Sequence, residues 1–295
     1  MSDPRCALAS RQRDEAAFGT ASTVRAFLLV QQEGAWGQDA LEDSALPDDV
    51  AAWLRTTSRA TGVRPLLIRR HGRAAEHGVR VFAAYAHHRE PWLETGLLDD
   101  VGEVTGLDLA ALADGRSTGL ARTEAPVVLT CTHGSHDLCC AVEGRPVATA
   151  LAASHPDLSW ECSHLGGDRF AGNVLLLPRG LSYGRVGPDL APAIVDGHLA
   201  GRVDRDHLRG RSGWPFAVQA AAHHLRAHLD VDGIDDLLLT GARRDDHVVT
   251  ATFTVAERAW TVAVRAEHGP EAVLTCRSPR PNRPLHHALV EVRPG

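Results

Sequence analysis

Lysine is absent: all 31 residues counted as Lys or Arg in this 295-residue chain are arginine. The absence removes Schiff-base chemistry on a lysine amine, and with it pyridoxal-phosphate catalysis. It also removes the phosphate-binding lysine of P-loop NTPases. No apolar run approaches the ~20 residues of a membrane-spanning helix, so no membrane association is expected. Residues 1–15 (MSDPRCALASRQRDE) are polar and lack the apolar stretch of a secretion signal, which makes the expected compartment cytoplasmic. A formal net charge of −6 argues against a general nucleic-acid binder, which would carry a basic face. The cysteines form no C-x-x-C, which disfavours a thioredoxin-type dithiol and a zinc ribbon. The H-x-E with P-C-x-x-C pattern of zinc deaminases is missing too.

What is present supports a folded protein. Hydrophobic residues make up 44% and charged residues 23%, enough for a buried core without bulk disorder. The expected class is α/β, of the α+β kind, in three parts. Residues 1–124 read as a mixed α/β region, with strands at 24–30, 63–69 and 78–85 and helices at 46–62 and 107–113. Residues 125–200 read as β-α-β-β-β-α: strand 127–131, helix 145–154, strand 159–164, a hairpin of 173–177 and 181–186, and helix 189–200. A β-α-β core followed by a hairpin and a helix is the order of a thioredoxin-like domain. Residues 201–295 read as helix 214–229 followed by a β-rich extension with strands at 248–255, 260–266, 272–276 and 288–292. No internal repeat is visible.

Four of the six cysteines lie between Cys131 and Cys162. One stretch is Cys131-Thr-His-Gly-Ser-His-Asp-Leu-Cys139-Cys140, and the other is Cys162-Ser-His164-Leu-Gly-Gly-Asp168-Arg-Phe. Thiolates and imidazoles supplied by two separate loops are how proteins hold zinc or iron–sulfur clusters. Gly166 and Gly167 would let the second loop pass close to a metal. On a strand, Cys162 and His164 point to one face, so both could reach one centre. Other readings of single residues stay open. Asp168 also suits a turn. His133 and His136 suit outer contacts better than ligation. Asp137 suits bracing its loop, and Cys6 and Cys276 read as isolated structural cysteines.

Three ordered motifs resemble the sucrase/ferredoxin-like family: C-T-H-x-x-x-D-x-x-C-x-x-x-G-x-P at Cys131–Pro146, S-H-L-G-G-D-R-F-A-G-N-V at Ser163–Val174, and L-P-x-G-x-x-Y-G-R at Leu177–Arg185. A weaker likeness, G-x-W-G at Gly34–Gly37, lies upstream. The resemblance implies a thioredoxin-like ferredoxin fold carrying one 2Fe-2S cluster, with two cysteines and two histidines as ligands in the better-understood eukaryotic members. Carried over, the ligands are Cys131, Cys140 and His164. The family's second histidine, in H-x-G-G-H, falls on Asp168 here. The fourth ligand is therefore Asp168 or Cys162, with Cys139 as a further candidate. A carboxylate in place of imidazole implies a lower potential than in a two-histidine relative. The expected function is a ferredoxin-like electron carrier whose partner is a redox protein or a small-molecule donor or acceptor. The alternative is a zinc-bound structural or interaction module using the same residues. Sucrase activity finds no support, since no paired carboxylates stand in a glycosidase setting.

Overall fold

The computed structural model describes residues 5–72, 77–278 and 280–295. Helix α1 (Cys6–Gln12) precedes β1 (Ala26–Gln31), α2 (Asp48–Thr61), β2 (Arg64–Arg69), β3 (Val79–Tyr85), β4 (Trp92–Leu98), α3 (Leu109–Ala113) and β5 (Ala121–Arg122). Then come β6 (Val127–Cys131), α4 (Leu138–Ser154), β7 (Ser159–Cys162), β8 (Val174–Leu177), β9 (Leu181–Tyr183), α5 (Ala191–Leu199) and β10 (Leu208–Arg211). Helix α6 (Phe216–Leu229) leads to β11 (Leu238–Asp245), β12 (Val248–Val255), β13 (Arg258–His268) and β14 (Leu285–Pro294).

The fold is mixed α/β with two sheets. Ten strands form one sheet in the order β10-β9-β8-β6-β7-β2-β1-β3-β4-β5, and β11 to β14 form a second, antiparallel sheet in chain order. The large sheet contains a topological duplication. β1 runs parallel to β2 and antiparallel to β3, which pairs antiparallel with β4. β6 runs parallel to β7 and antiparallel to β8, which pairs antiparallel with β9. The two β-α-β-β-β units meet edge to edge where β2 and β7 pair antiparallel, Ile68 opposite Cys162 and Arg69 opposite Glu161. One sheet thus runs through both of the stretches read from sequence as 1–124 and 125–200.

Burial on both faces explains why β1 and β6 read as continuous apolar runs rather than alternating ones. Ala26, Leu28 and Val30 pack under α2 and α3, and Val128, Val174 and Leu176 pack under α4 and α5. The opposite face of both units feeds a single core containing Phe27, Leu29, Leu66, Ile68, Leu129, Cys131, Trp160 and Cys162. Two strands separate β3 from β7, yet the rings of Phe82 and Trp160 meet at 5.7 Å. The sheet therefore curls around this core, since a flat one keeps strands about 4.8 Å apart.

In the second sheet, alternate residues of β12 and β13 turn inward. Ala251, Phe253, Val255, Val262 and Val264 face α6, whose Val218, Ala221 and Leu225 complete that core. The strand expected at 272–276 is instead a loop with the isolated bridges Ala272–Asn282 and Thr275–Ser278. No helix among the described residues is long and apolar enough to cross a membrane.

The largest difference from the sequence reading concerns α4, expected over residues 145–154. The helix begins at Leu138 and carries Pro146 inside it. Asp137 is its N-cap, its side chain accepting from the Cys139 N–H, and that cap sets the start. Cys139 and Cys140 consequently sit in the first helical turn rather than in a loop.

Candidate metal centre

β6 ends in Cys131, and α4 returns over β6 at very close range. A Cβ at Gly144 would lie 2.1 Å from the Cys131 carbonyl oxygen, so only glycine permits this approach. That contact fixes the first turn of α4, and with it Cys140, against the end of β6. Both thiols are buried, each 1% exposed.

β7 ends in Cys162, and the chain turns through residues 163–170. Ser163 continues the pairing with β2: its N–H donates to the Leu67 carbonyl at 2.8 Å, and its Oγ accepts the Leu67 N–H at 3.0 Å. Four successive carbonyls of this turn accept side-chain donors. Arg64 donates to His164 O and Leu165 O, and Ser22 Oγ also reaches Leu165 O. Arg209 donates to Gly166 O, and Asn173 Nδ2 to Gly167 O. Gly167 has φ +82°, and a Cβ there would collide with the Arg209 guanidinium. Protein groups thus hold the turn's backbone, as supporting contacts behind a metal site do.

The convergence follows from these constraints. The sulfurs of Cys131 and Cys140 and a ring nitrogen of His164 all lie within 4.8 Å of one another. Asp168 joins them, its Oδ1 3.4 Å from Cys140 Sγ and 3.0 Å from His164 Nδ1. His164 Nδ1 is buried and makes no hydrogen bond, so its 3.0 Å approach to the carboxylate lacks the angle of an N–H donor. His136 stacks on His164 at 3.8 Å between ring centroids and shares a second donor group with His164 and Asp168. The structure thus brings together Cys131, Cys140, His164 and Asp168, and adds His136. Cys162 is fully buried in the shared core and belongs to no such donor group among the described residues.

The electrostatics are those of a linked set. Cys131 is held well below the ordinary thiol range, chiefly by its bond from Cys140 and also by His164, against the effect of burial. Cys140 is pushed far up by the Cys131 thiolate and by burial. Burial opposes charge on His164, but Asp168 and Cys131 outweigh it and lift the imidazole to about 9. Burial likewise opposes charge on Asp168, and His164 reverses this to hold the carboxylate below its usual range.

Around this set lies a supporting layer. His133 is buried, with Nε2 2.8 Å from the Gly37 carbonyl and its ring edge-on to Trp36 at 5.7 Å. The Gly34–Gly37 segment therefore acts as a wall for the ligand loop. Thr132 Oγ1 donates to Glu161 at 2.6 Å, and Glu161 is also held by Arg69 at 2.8 Å and His71 at 2.6 Å. Arg64 and Arg209 carry no sequence signal, because their roles depend on strands far from the motifs.

Over residues 17–210 the chain matches the sucrase/ferredoxin-like family. It belongs to that family. A 95-residue stretch is 37% identical to altered inheritance of mitochondria protein 32 of Meyerozyma guilliermondii. That stretch is 28% of this chain and 34% of the relative, so the chain spans about a third of the curated relative's length. No solved structure matches the chain. The family match takes in the ligand loops, α4 and both β-α-β-β-β units, but not α6 or the second sheet.

One placement overturns the sequence reading outside this centre. Cys6 and Cys276 are not isolated: both meet Cys139, at 3.6 and 3.5 Å between sulfurs.

Proposed function

We propose that this member of the sucrase/ferredoxin-like family is an electron carrier that binds one 2Fe-2S cluster through Cys131, Cys140, His164 and Asp168. The observation that carries the reading is the donor set itself. Two buried thiols, from the end of β6 and the first turn of α4, lie within 4.8 Å of each other and of a ring nitrogen of His164, from the turn after β7, beside the Asp168 carboxylate. A cluster bound there would supply one-electron chemistry, its potential set by ligand charge and burial. The β9-β8-β6-β7 order, with α4 joining the parallel pair, favours the thioredoxin-like reading of this unit.

The protein's own groups do the rest. Cys131 and Cys140 exclude water from one side of the site. His164, its side chain 23% exposed, and His136 stacked on it form the wet side through which an electron enters or leaves. Asp168 adds a negative charge that a histidine would not, which lowers the potential relative to a two-histidine relative. His136 is the competing fourth donor. Leu138 and Val142 of α4 lie exposed beside this edge, near Arg145 and Arg277, an arrangement suited to an acidic redox partner. Free thiols in these numbers suit a reducing compartment such as the cytoplasm.

A second reading, zinc on the same residues, is favoured by how tightly the donors cluster, since four N, S and O atoms around a single ion complete a structural zinc site. Anaerobic purification with iron, sulfide and zinc analysis, absorption spectroscopy and electron paramagnetic resonance of the reduced protein separates the two. Iron and sulfide with charge-transfer absorption support the cluster. A colourless protein whose zinc depends on Cys131 overturns it.

A further inference from the structure

We infer that Cys6, Cys139 and Cys276 form a second metal site, distinct from the centre above, which takes one thiophilic divalent cation of the zinc type. The three sulfurs belong to one compact donor group with Asp137, all within 4.8 Å. Cys139 Sγ lies 3.6 Å from Cys6 Sγ and 3.5 Å from Cys276 Sγ. A tetrahedral zinc with Zn–S bonds of about 2.3 Å places its sulfurs about 3.8 Å apart, within a few tenths of an ångström of the two separations from Cys139. A disulfide would need about 2.05 Å, and all three thiols are free.

Packing alone does not account for the arrangement. Cys6 and Cys139 are fully buried among Ala7 and Ala171, an apolar lining that would suit aliphatic side chains. The sulfurs instead turn toward each other and toward a carboxylate: both Asp137 oxygens lie 3.8 Å from Cys6 Sγ. Cys276 Sγ also accepts the Cys6 N–H at 3.3 Å, the kind of bond that stabilises a thiolate.

Asp137 organises the site more than it completes it. Oδ1 accepts the Cys139 N–H at 2.9 Å. Oδ2 accepts Thr275 Oγ1 at 2.8 Å and the Cys276 N–H at 2.7 Å. One side chain thus fixes the first turn of α4 against the loop that carries Cys276. The fourth coordination position is left to one of these oxygens or to water, from the adjoining cavity of about 370 Å³ lined by Arg5, His136 and Arg277. The two arginines offset the negative charge that three thiolates leave around a divalent ion.

The site joins three segments far apart in the chain: α1, the start of α4, and the loop carrying Cys276, which lies 270 positions from Cys6. Three thiols around one small space suit a single ion of fixed charge, which is structural zinc chemistry. Cys139 precedes Cys140, so the two centres share a helical turn, and the ion would steady the helix start that presents Cys140.

The test uses the full chain, purified anaerobically, with zinc and iron measured in the wild type and in Cys6→Ser, Cys276→Ser and Cys131→Ser. The wild type should carry about one zinc per chain, and each of the first two variants should lose roughly tenfold or more of it while keeping the iron and visible spectrum of the parent. Cys131→Ser should keep the zinc. Reconstitution with cobalt(II) gives a second readout: a thiolate-to-cobalt band in the wild type that Cys276→Ser removes. Cys276 lies in a partly exposed loop, so its variant decides the matter if Cys6→Ser does not fold. Zinc that is absent, zinc that follows Cys131 rather than Cys276, or alkylation and intact mass showing a disulfide between two of the three cysteines would each overturn the inference.

Discussion

The two β-α-β-β-β units of the large sheet share strand order and direction, yet among the described residues the cysteine, histidine and aspartate donors that could hold a metal at the candidate centre gather in the second of them. At the end of the parallel pair, the first unit sets Gln31 opposite Ile68, and the second sets Cys131 opposite Cys162. After β1 the chain runs through a long loop before α2, whereas after β6 it reaches α4 in six residues, Thr132 to Asp137. That short loop and the glycine-mediated approach of α4 confine two thiols to one point. The first unit then serves the second: Arg64 of β2 holds the His164 turn, and the Gly34–Gly37 segment backs His133. The scaffold alone does not make the site. The end residues of one strand pair and the length of one loop do.

The sharpest way to break this comparison is to exchange the strand ends. Cys131→Ser should abolish iron binding and the visible absorption, because one sulfur donor and the partner of both Cys140 and His164 disappear together. Gln31→Ser, at the matching position, removes hydrogen bonds to Glu33 and the Arg80 N–H, at a cost of about 1 kcal/mol, and should leave metal content unchanged. Equal metal loss in both variants would show that the units are not functionally distinct.

Gly144→Ala comes next. The added methyl meets the Cys131 carbonyl at 2.1 Å, so α4 must shift from β6. Overpacking of this kind should cost about 1–3 kcal/mol, and the shift should separate Cys140 from Cys131 enough to lower metal retention. Chemical denaturation of the metal-free chain isolates the packing cost, and metal analysis of the same variant reports the misplacement. Unchanged stability and metal content would mean that α4 is not set by this contact.

Much of the second unit is legible in sequence because its strands are short apolar runs between clear turn residues. β6 falls on 127–131 as expected, and the Gly166-Gly167 turn is where the motif places it. Elements carrying polar residues into the sheet were hidden. β4 holds a buried Glu94, paired with Arg122 at 3.3 Å and Thr118 at 2.8 Å, inside the sequence WLETGLL. β10 is Leu-Arg-Gly-Arg, with both arginines buried, and β11 is nearly all exposed, so neither shows an apolar pattern. The duplication was invisible because it lies in topology rather than in residue identity. Cys6 and Cys276 gave no signal because no local spacing relates residues 270 positions apart.

Asp168→His sharpens the comparison within the family pattern instead of between the units. It restores H-x-G-G-H and replaces an anionic donor by a neutral one. With a 2Fe-2S cluster bound, the midpoint potential should rise by on the order of 100 mV, since histidine ligation raises potentials and carboxylate ligation adds charge. Redox titration of the two proteins checks this. An unchanged potential would mean that Asp168 is not a ligand, and the same titration on His136→Ala would then show whether His136 takes its place.

The smallest effect separates the helices that close the two units. α3, Leu109–Ala113, contains no titratable side chain, whereas α5 buries His198 with Nδ1 unpaired. Burial, reinforced by Arg179 and Arg211, pulls His198 from 6.5 to about 4. The unfolded chain therefore binds this proton at a higher pH than the folded one does. Stability is fully present above 6.5, falls as pH drops below it, and stops falling from this source below about 4. Between pH 7.5 and pH 5.0 the contribution is about 2 kcal/mol. His198→Leu should remove that part of the slope. His223, also pulled to about 4, keeps its own part in both proteins, and metal release at low pH acts on both alike. Denaturation midpoints at the two pH values give the comparison. Parallel losses in wild type and variant would show that His198 accepts its proton in the folded state, and that α5 is no more pH-sensitive than α3.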